Sequence, residues 1–249
     1  MNVTGERPRT MRDRVRRRVL TAVLGRIDNQ AYLQHATTID ADRTTASSGN
    51  GPYYVSGSPH RRDIREGREG APLLLRVRAV EVGTLTPVPD ATVEVWHCDA
   101  HGIYSGYQRY GADKFPALVS LTLRRFRPTD DATFLRGEQT TDGDGRAEFQ
   151  TIVPGWYTPR TVHIHVRVSL ADKPLLTTEL YFSDDFAARI QALPPYAERG
   201  RSPFVNANDV EIRLTKGSPG SWPTVRPIAA GHRADVTLHV PSLNEEHRP

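Results

Sequence analysis

Two histidines one residue apart, His163 and His165, stand inside an alternating apolar and polar run over 162–170. On a strand, residues i and i+2 face the same way with their Cα atoms roughly 6.6 Å apart. Both imidazoles can then reach one metal ion at about 2.0–2.1 Å. With nine histidines in 249 residues, chance supplies such a spacing easily, and two histidines hydrogen-bonded on a sheet face fit the same pattern. The neighbours add chemistry. Pro154-Gly155-Trp156-Tyr157-Thr158-Pro159-Arg160 is a rigid, turn-rich approach that brings Tyr157 and Arg160 beside the pair. Farther upstream, the strand 91–97 runs into Cys98-Asp99-Ala100-His101-Gly102-Ile103-Tyr104-Ser105, placing Tyr104 at a strand end, where active-site groups tend to gather on a rigid scaffold. Each tyrosine also fits plain amphipathic packing. Two phenolates with two imidazoles would be a hard, anionic donor set suited to trivalent iron, whereas thiolates would favour zinc or clusters.

The elements that must position these groups read as strands. The runs 73–82, 91–97, 147–152, 162–170, 175–182, 210–214 and 236–240 are short and β-type, with turn signals such as Asp142-Gly143-Asp144-Gly145 between them. No helical pattern alternates with them, which predicts a mainly β, antiparallel two-sheet sandwich rather than a parallel α/β sheet. The Arg-rich insertion 106–136 reads as loop with a short helix. The polar stretch 37–50 reads as a linker. The expected organisation is an N-terminal amphipathic helix and linker over 1–50, followed by one β-sandwich domain over 51–249.

Composition narrows the function. The chain is 37% apolar and 25% charged, with one cysteine, Cys98, which excludes an intrachain disulfide framework and a cysteine-based zinc ribbon. No apolar run approaches the ~18 residues of a membrane helix. The net charge of +4 is local: residues 1–26 carry eight arginines against Glu6 and Asp13, so the remainder is slightly acidic. A nucleic-acid reader would carry its excess on the fold, so no nucleic acid and no membrane are expected as partners. Val15, Val19, Leu20, Val23, Leu24 and Ile27 fall on one helical face with arginines opposite. Packing on the body or on a second subunit is the plainer use of that face, a membrane surface or acidic partner the other. Arg16-Arg17-Arg18 superficially suggests a twin-arginine signal, but the apolar stretch behind it is too short, and a cytoplasmic protein is expected. Phosphate-loop, dinucleotide, zincin and nucleophile-elbow motifs are missing. The turn at Asp142 lacks a calcium loop's closing Glu, since Val153 stands there.

Several segments, in order, resemble the intradiol ring-cleavage dioxygenases, the non-haem Fe(III) family that includes catechol 1,2-dioxygenase and protocatechuate 3,4-dioxygenase. They are Gly51-Pro52-Tyr53-Tyr54-Val55; Pro89-Asp90-Ala91-Thr92-Val93-Glu94-Val95-Trp96-His97-Cys98-Asp99-Ala100 with Gly102-Ile103-Tyr104-Ser105; Thr141-Asp142-Gly143-Asp144-Gly145; and Thr151-Ile152-Val153-Pro154-Gly155-Trp156-Tyr157 with Arg160-Thr161-Val162-His163-Ile164-His165. The likeness covers about residues 50–185 and is greatest to the short stand-alone branch with Pro-Gly-Trp-Tyr and Phe134-Leu135-Arg136-Gly137. The resemblance implies Fe(III) held by Tyr104, Tyr157, His163 and His165, with Tyr157 the ligand that leaves when substrate chelates and serves as a base. It implies that Arg160 steadies developing charge, and that Pro52 and Tyr53 line the substrate pocket. The implied reaction inserts both atoms of O2 into a catechol-type substrate, cutting between the hydroxylated carbons to a muconate-type diacid. Glu179 stands where the family usually has Gln; an ionised Glu cannot donate a hydrogen bond, so it either pairs with Arg160 or, protonated, takes a catalytic part as donor. A specialised natural-product catechol, or a non-catalytic β-sandwich binding module, are the alternative readings. Analogy suggests a homodimer through the N-terminal helix.

Overall fold

The computed structural model describes residues 44–113, 127–214 and 221–243. The amphipathic segment 15–27 therefore lies outside the described residues, as does most of the insertion after Asp113. Among the described residues, eight strands form two four-stranded sheets. The first has the order β4 (Arg146–Ile152), β1 (Pro72–Glu81), β8 (Gly231–Val240) and β7 (Thr224–Ile228); the second has the order β3 (Arg136–Thr140), β2 (Thr92–Trp96), β5 (His163–Leu170) and β6 (Lys173–Tyr181). The second sheet is antiparallel throughout, while β1 and β8 run parallel in the first. The mainly β sandwich is as expected, with that one parallel pairing added.

Period-two patterning explains the layers. β1 buries Leu73, Leu75, Val77 and Ala79, and these join Phe149, Val236 and Leu238 from the same sheet in one core. The second sheet contributes Val93, Val95, Ile164, Val166 and Leu180 to that core. Each such side chain stabilises the fold by about 1.5–3 kcal/mol. The alternate residues of β2, β5 and β6 point the other way, and that face carries Trp96, His163, His165, Glu179 and Tyr181. Ala171 and Asp172 join β5 to β6 with φ of 47° and 64°, the left-handed pair that a two-residue hairpin requires.

Among the described residues, four elements depart from the expected pattern. Residues 210–214, whose apolar alternation reads as a strand, are a short helix. Asp209 decides this: its carboxylate accepts from the backbone N–H of Glu211 and Ile212, satisfying donors that an N-terminal turn leaves open. β3 and β7 are strands that patterning misses, because Arg-Gly-Glu-Gln-Thr and Thr-Val-Arg-Pro-Ile carry too few buried apolar positions. A helix that the patterning also does not anticipate follows β6 as α1 (Asp184–Gln191), where Ser183 accepts from the Phe186 N–H and Asp184 and Asp185 occupy the first turn; the short helix Val210–Leu214 is α2. Residues 44–48 of the polar stretch are extended, bonding the Thr45 N–H to the His239 carbonyl and the Ser48 N–H to the Thr177 carbonyl. Among the described residues, no helix is long and apolar enough to cross a membrane.

Candidate metal centre

Strand register builds one side of the site. Trp96 on β2 pairs with Arg136 on β3 and with His165 on β5, and His165 pairs with Glu179 on β6. Directly opposed residues of an antiparallel pair share a face, so Arg136, Trp96, His165 and Glu179 make one row across four strands. The next row on the same face is His163 opposite Tyr181. Trp96 stacks flat on His165, ring centroids 5.0 Å apart and planes 1° from parallel, which fixes the imidazole's plane.

Two loops bring the tyrosines over this face. Their contact depends on two glycines. A Cβ on Gly155 would sit 2.3 Å from the Ala100 carbonyl oxygen, and one on Gly102, which has φ of +79°, would sit 2.2 Å from the Trp156 oxygen. Only glycine allows that approach. The Gly155 N–H donates to the Asp99 carbonyl at 3.0 Å. The rings of Tyr104 and Tyr157 then meet edge-on at 5.5 Å. The Tyr157 hydroxyl donates to His163 Nε2 at 3.3 Å, while His163 Nδ1 donates to the Thr161 carbonyl at 2.7 Å. That second bond sets the tautomer and leaves the Nε2 lone pair turned into the site. Tyr104, Tyr157, His163 and His165 are 2%, 4%, 1% and 1% exposed, so all four are buried, with ring contacts at 4.9–6.2 Å joining them.

Burial governs their protonation. It pushes both phenols well above the ordinary tyrosine value, with each other's proximity or other anionic neighbours adding to the rise. Burial, and then the Arg160 cation, pulls His163 down to about 3; burial brings His165 down to about 4 despite the opposing pull of Glu179. The four groups are thus neutral at pH 7 when no cation is present.

Arg160 does not stand free. Its Nε donates to both oxygens of Asp209 at 3.2 and 2.9 Å, its Nη1 to Glu179 Oε1 at 3.1 Å, its Nη2 to Glu179 Oε2, and its Nη2 also to the Tyr181 hydroxyl at 2.9 Å. Glu179 also accepts from the Tyr181 hydroxyl. Its carboxyl is held far below the usual range, since the Arg160 cation outweighs the cost of burial. Glu179 is thus placed against Arg160, the pairing that was one of the two readings open from sequence, and that cation favours its ionised form. His163, His165 and Glu179 offer ligand atoms within 4.8 Å of one another, but Glu179 is already engaged by the arginine. It lies 3.3 Å from His165 Nδ1 without hydrogen-bond alignment.

Tyr53 stacks on Tyr104, centroids 4.6 Å apart and 20° from parallel, and meets Tyr157 edge-on at 5.7 Å. Pro52 is half-buried just before it. Trp96, Arg136 and Asp209 belong to the same assembly and are not evident as site residues in sequence. The Trp96–His165 pairing follows only from register, and Asp209 from the helix it caps.

A family model described as dioxygenase matches residues 49–197. The chain belongs to the intradiol ring-cleavage dioxygenases. Catechol 1,2-dioxygenase 1 of Acinetobacter lwoffii is 27% identical over 206 residues, covering 66% of this chain and 59% of its own length. Chlorocatechol 1,2-dioxygenase of Rhodococcus opacus is 27% identical over 185 residues, covering 60% of this chain and 62% of its own. The chain spans about three fifths of the length of these curated relatives. Among solved structures, an intradiol ring-cleavage dioxygenase from Tetranychus urticae superposes with a TM-score of 0.72 at 28% identity, over 81% of this chain and 96% of that one. The 3-chlorocatechol 1,2-dioxygenase of Rhodococcus opacus 1CP, at 21% identity and a TM-score of 0.52 over 90% of this chain and 81% of that one, shares the fold.

The iron implied by this family can be tested against the donor set. The Tyr104 hydroxyl is buried with no partner of good hydrogen-bond geometry. Leaving a buried polar atom unpaired is costly, and a cation beside it relieves that cost. Phenols held this far above neutrality ionise only against a strong Lewis acid, and the resulting hard oxygen donors suit trivalent iron. The residues present fit Fe(III).

Proposed function

We propose that this chain is an Fe(III)-dependent intradiol dioxygenase that inserts both atoms of O2 into a catechol-type substrate and cleaves between its two hydroxylated carbons, giving a muconate-type diacid. The observation that carries the reading is the convergence of Tyr104, Tyr157, His163 and His165 in one buried cluster. These four residues would hold the metal. Bound there, Fe(III) supplies chelation of the catecholate and makes its ring reactive toward O2.

The chain's own groups do the rest. Tyr157 Oη, the phenolic atom 3.3 Å from His163 Nε2, would in its phenolate form accept one proton from the incoming catechol, since burial makes that phenolate a strong base. Thr161 fixes His163 through its carbonyl, and Trp96 fixes His165 by stacking. Tyr53 and Pro52 line the approach to the donors, with Tyr53 excluding water from Tyr104. Arg160 presents its charge through a guanidinium already braced by Glu179 and Asp209, so it orients the pocket as an ion cluster rather than as a bare cation.

A visible spectrum of aerobically purified protein, with iron quantified in the same sample, tests this. A broad visible band with one iron per chain, moving to longer wavelength on anaerobic addition of catechol, is expected. Admission of O2 then yields a muconate. Protein that remains colourless after reconstitution with iron overturns the four-residue assignment and leaves a binding module with a dioxygenase fold.

A further inference from the structure

Two arginines are buried among the described residues, Arg160 and Arg136. They are treated oppositely. Arg160 meets two carboxylates. Arg136, the first residue of β3, makes no ion pair among the described residues; its Nε donates to Ser105 Oγ at 2.8 Å, its Nη2 donates to the carbonyls of Tyr53 and Ser105, each at 2.8 Å, and its Nη1 has no partner. Its guanidinium carbon lies 5.9 Å from the ring centres of both Tyr104 and Tyr107. Glu94 acts on it only through space, being bound instead by the Tyr54 and Ser58 hydroxyls.

A buried charge without a counter-ion is expensive: burial lowers the Arg136 pKa, while the neighbouring Tyr104, Tyr107 and Glu94 favour its charged form. The neighbouring groups that can become anions are the tyrosines. We propose that Arg136 is a positioning residue for the tyrosine side of the metal centre: it ties the Tyr53 backbone to the Tyr104–Ser105 backbone, so that Tyr53 lies on Tyr104, and it holds a positive charge against the ring that becomes a phenolate. This rests on the reading of Tyr104 as an iron ligand. With Arg160 cancelled by Glu179 and Asp209, Arg136 is the buried cation that balances the ligand phenolate.

The test is the phenolate-to-iron band of the iron-loaded protein in Arg136→Met, Arg136→Lys and Ser105→Asp. A cation beside the ring lowers the level from which the electron leaves, so removing it moves the band to longer wavelength. Arg136→Met is expected to shift the band that way and to lower the iron reduction potential. Ser105→Asp keeps the arginine in place but sets a carboxylate against its Nε, and is expected to give the same shift. Arg136→Lys, which keeps the charge and loses the fork, is expected to hold the band near its wild-type position while lowering the melting temperature. Where Arg136→Met does not fold, Ser105→Asp decides. A wild-type band that neither neutralising variant moves overturns the role of Arg136 alone. A wild type with no band overturns the iron reading instead.

Discussion

Glu179 sets the charge of the ion cluster around Arg160. It sits opposite His165 on the sheet and takes the Arg160 guanidinium with both oxygens. With Asp209 on the other edge of the same guanidinium, two carboxylates face one cation, a surplus of one negative charge beside the donors. A catecholate is itself anionic, so this surplus opposes its binding. Replacing Glu179 by Gln leaves Arg160 paired once and removes the surplus. Glu179→Gln is expected to tighten catechol binding by about tenfold, about 1.4 kcal/mol, and to widen the range of catechols turned over. Titration of the iron-loaded variant with catechol, followed by a substrate screen, checks this; unchanged affinity and range would show that the surplus is not felt at the substrate. The reading of Glu179 as either partner or donor was open in sequence because a carboxylate's protonation depends on what faces it, and β6 alone does not say what faces it.

At the scale of elements, the short helix α2 does two jobs through one side chain. Asp209 caps it by accepting from Glu211 and Ile212, and also accepts from Arg160 and from the Thr161 N–H. Thr161 in turn fixes His163, so the helix start, the loop and the strand end are joined at one carboxylate. Asp209→Asn keeps an oxygen able to cap but lowers the charge that braces Arg160. It is expected to cost about 3 kcal/mol and to lower the melting temperature by about 6–12 °C, read by thermal unfolding against Asp209→Ser, which retains a cap of another kind. Residues 210–214 read as a strand because Val210, Ile212 and Leu214 alternate; period two in five residues cannot outvote a capping carboxylate that also has a buried arginine to satisfy.

Over the whole molecule, the sandwich buries ionisable groups whose neutral forms it requires. His97, the residue that follows β2, donates Nδ1–H to the Cys98 carbonyl at 2.8 Å and accepts from the Thr151 hydroxyl at 2.7 Å. Burial pulls it down to about 4, with the Arg136 cation adding to the fall. A histidine lower in the folded than in the unfolded chain contributes stability above its unfolded value of about 6.5, and that contribution is lost as pH falls toward 4. Between pH 8 and pH 4.5 the wild type is expected to lose about 2–3 kcal/mol more than His97→Gln. Denaturant unfolding of both at the two pH values measures it; parallel losses would remove His97 from the account.

What the chain's sequence determined by itself was local and periodic. Alternation in 73–82, 91–97 and 162–170 specified strands with one apolar face, and the spacing of His163 and His165 put both imidazoles on one side, because the strand repeat is a property of the backbone. The order of its motifs was enough to indicate the family. Tertiary structure decided which strands are neighbours. Register set Arg136, Trp96, His165 and Glu179 in a row. Two glycines let the tyrosine loops close over them, and Asp209 arrived from a distant helix. These are contacts between residues tens of positions apart, so each depends on the packing of the whole sandwich, and charge balance inside a pocket follows only once its walls are known.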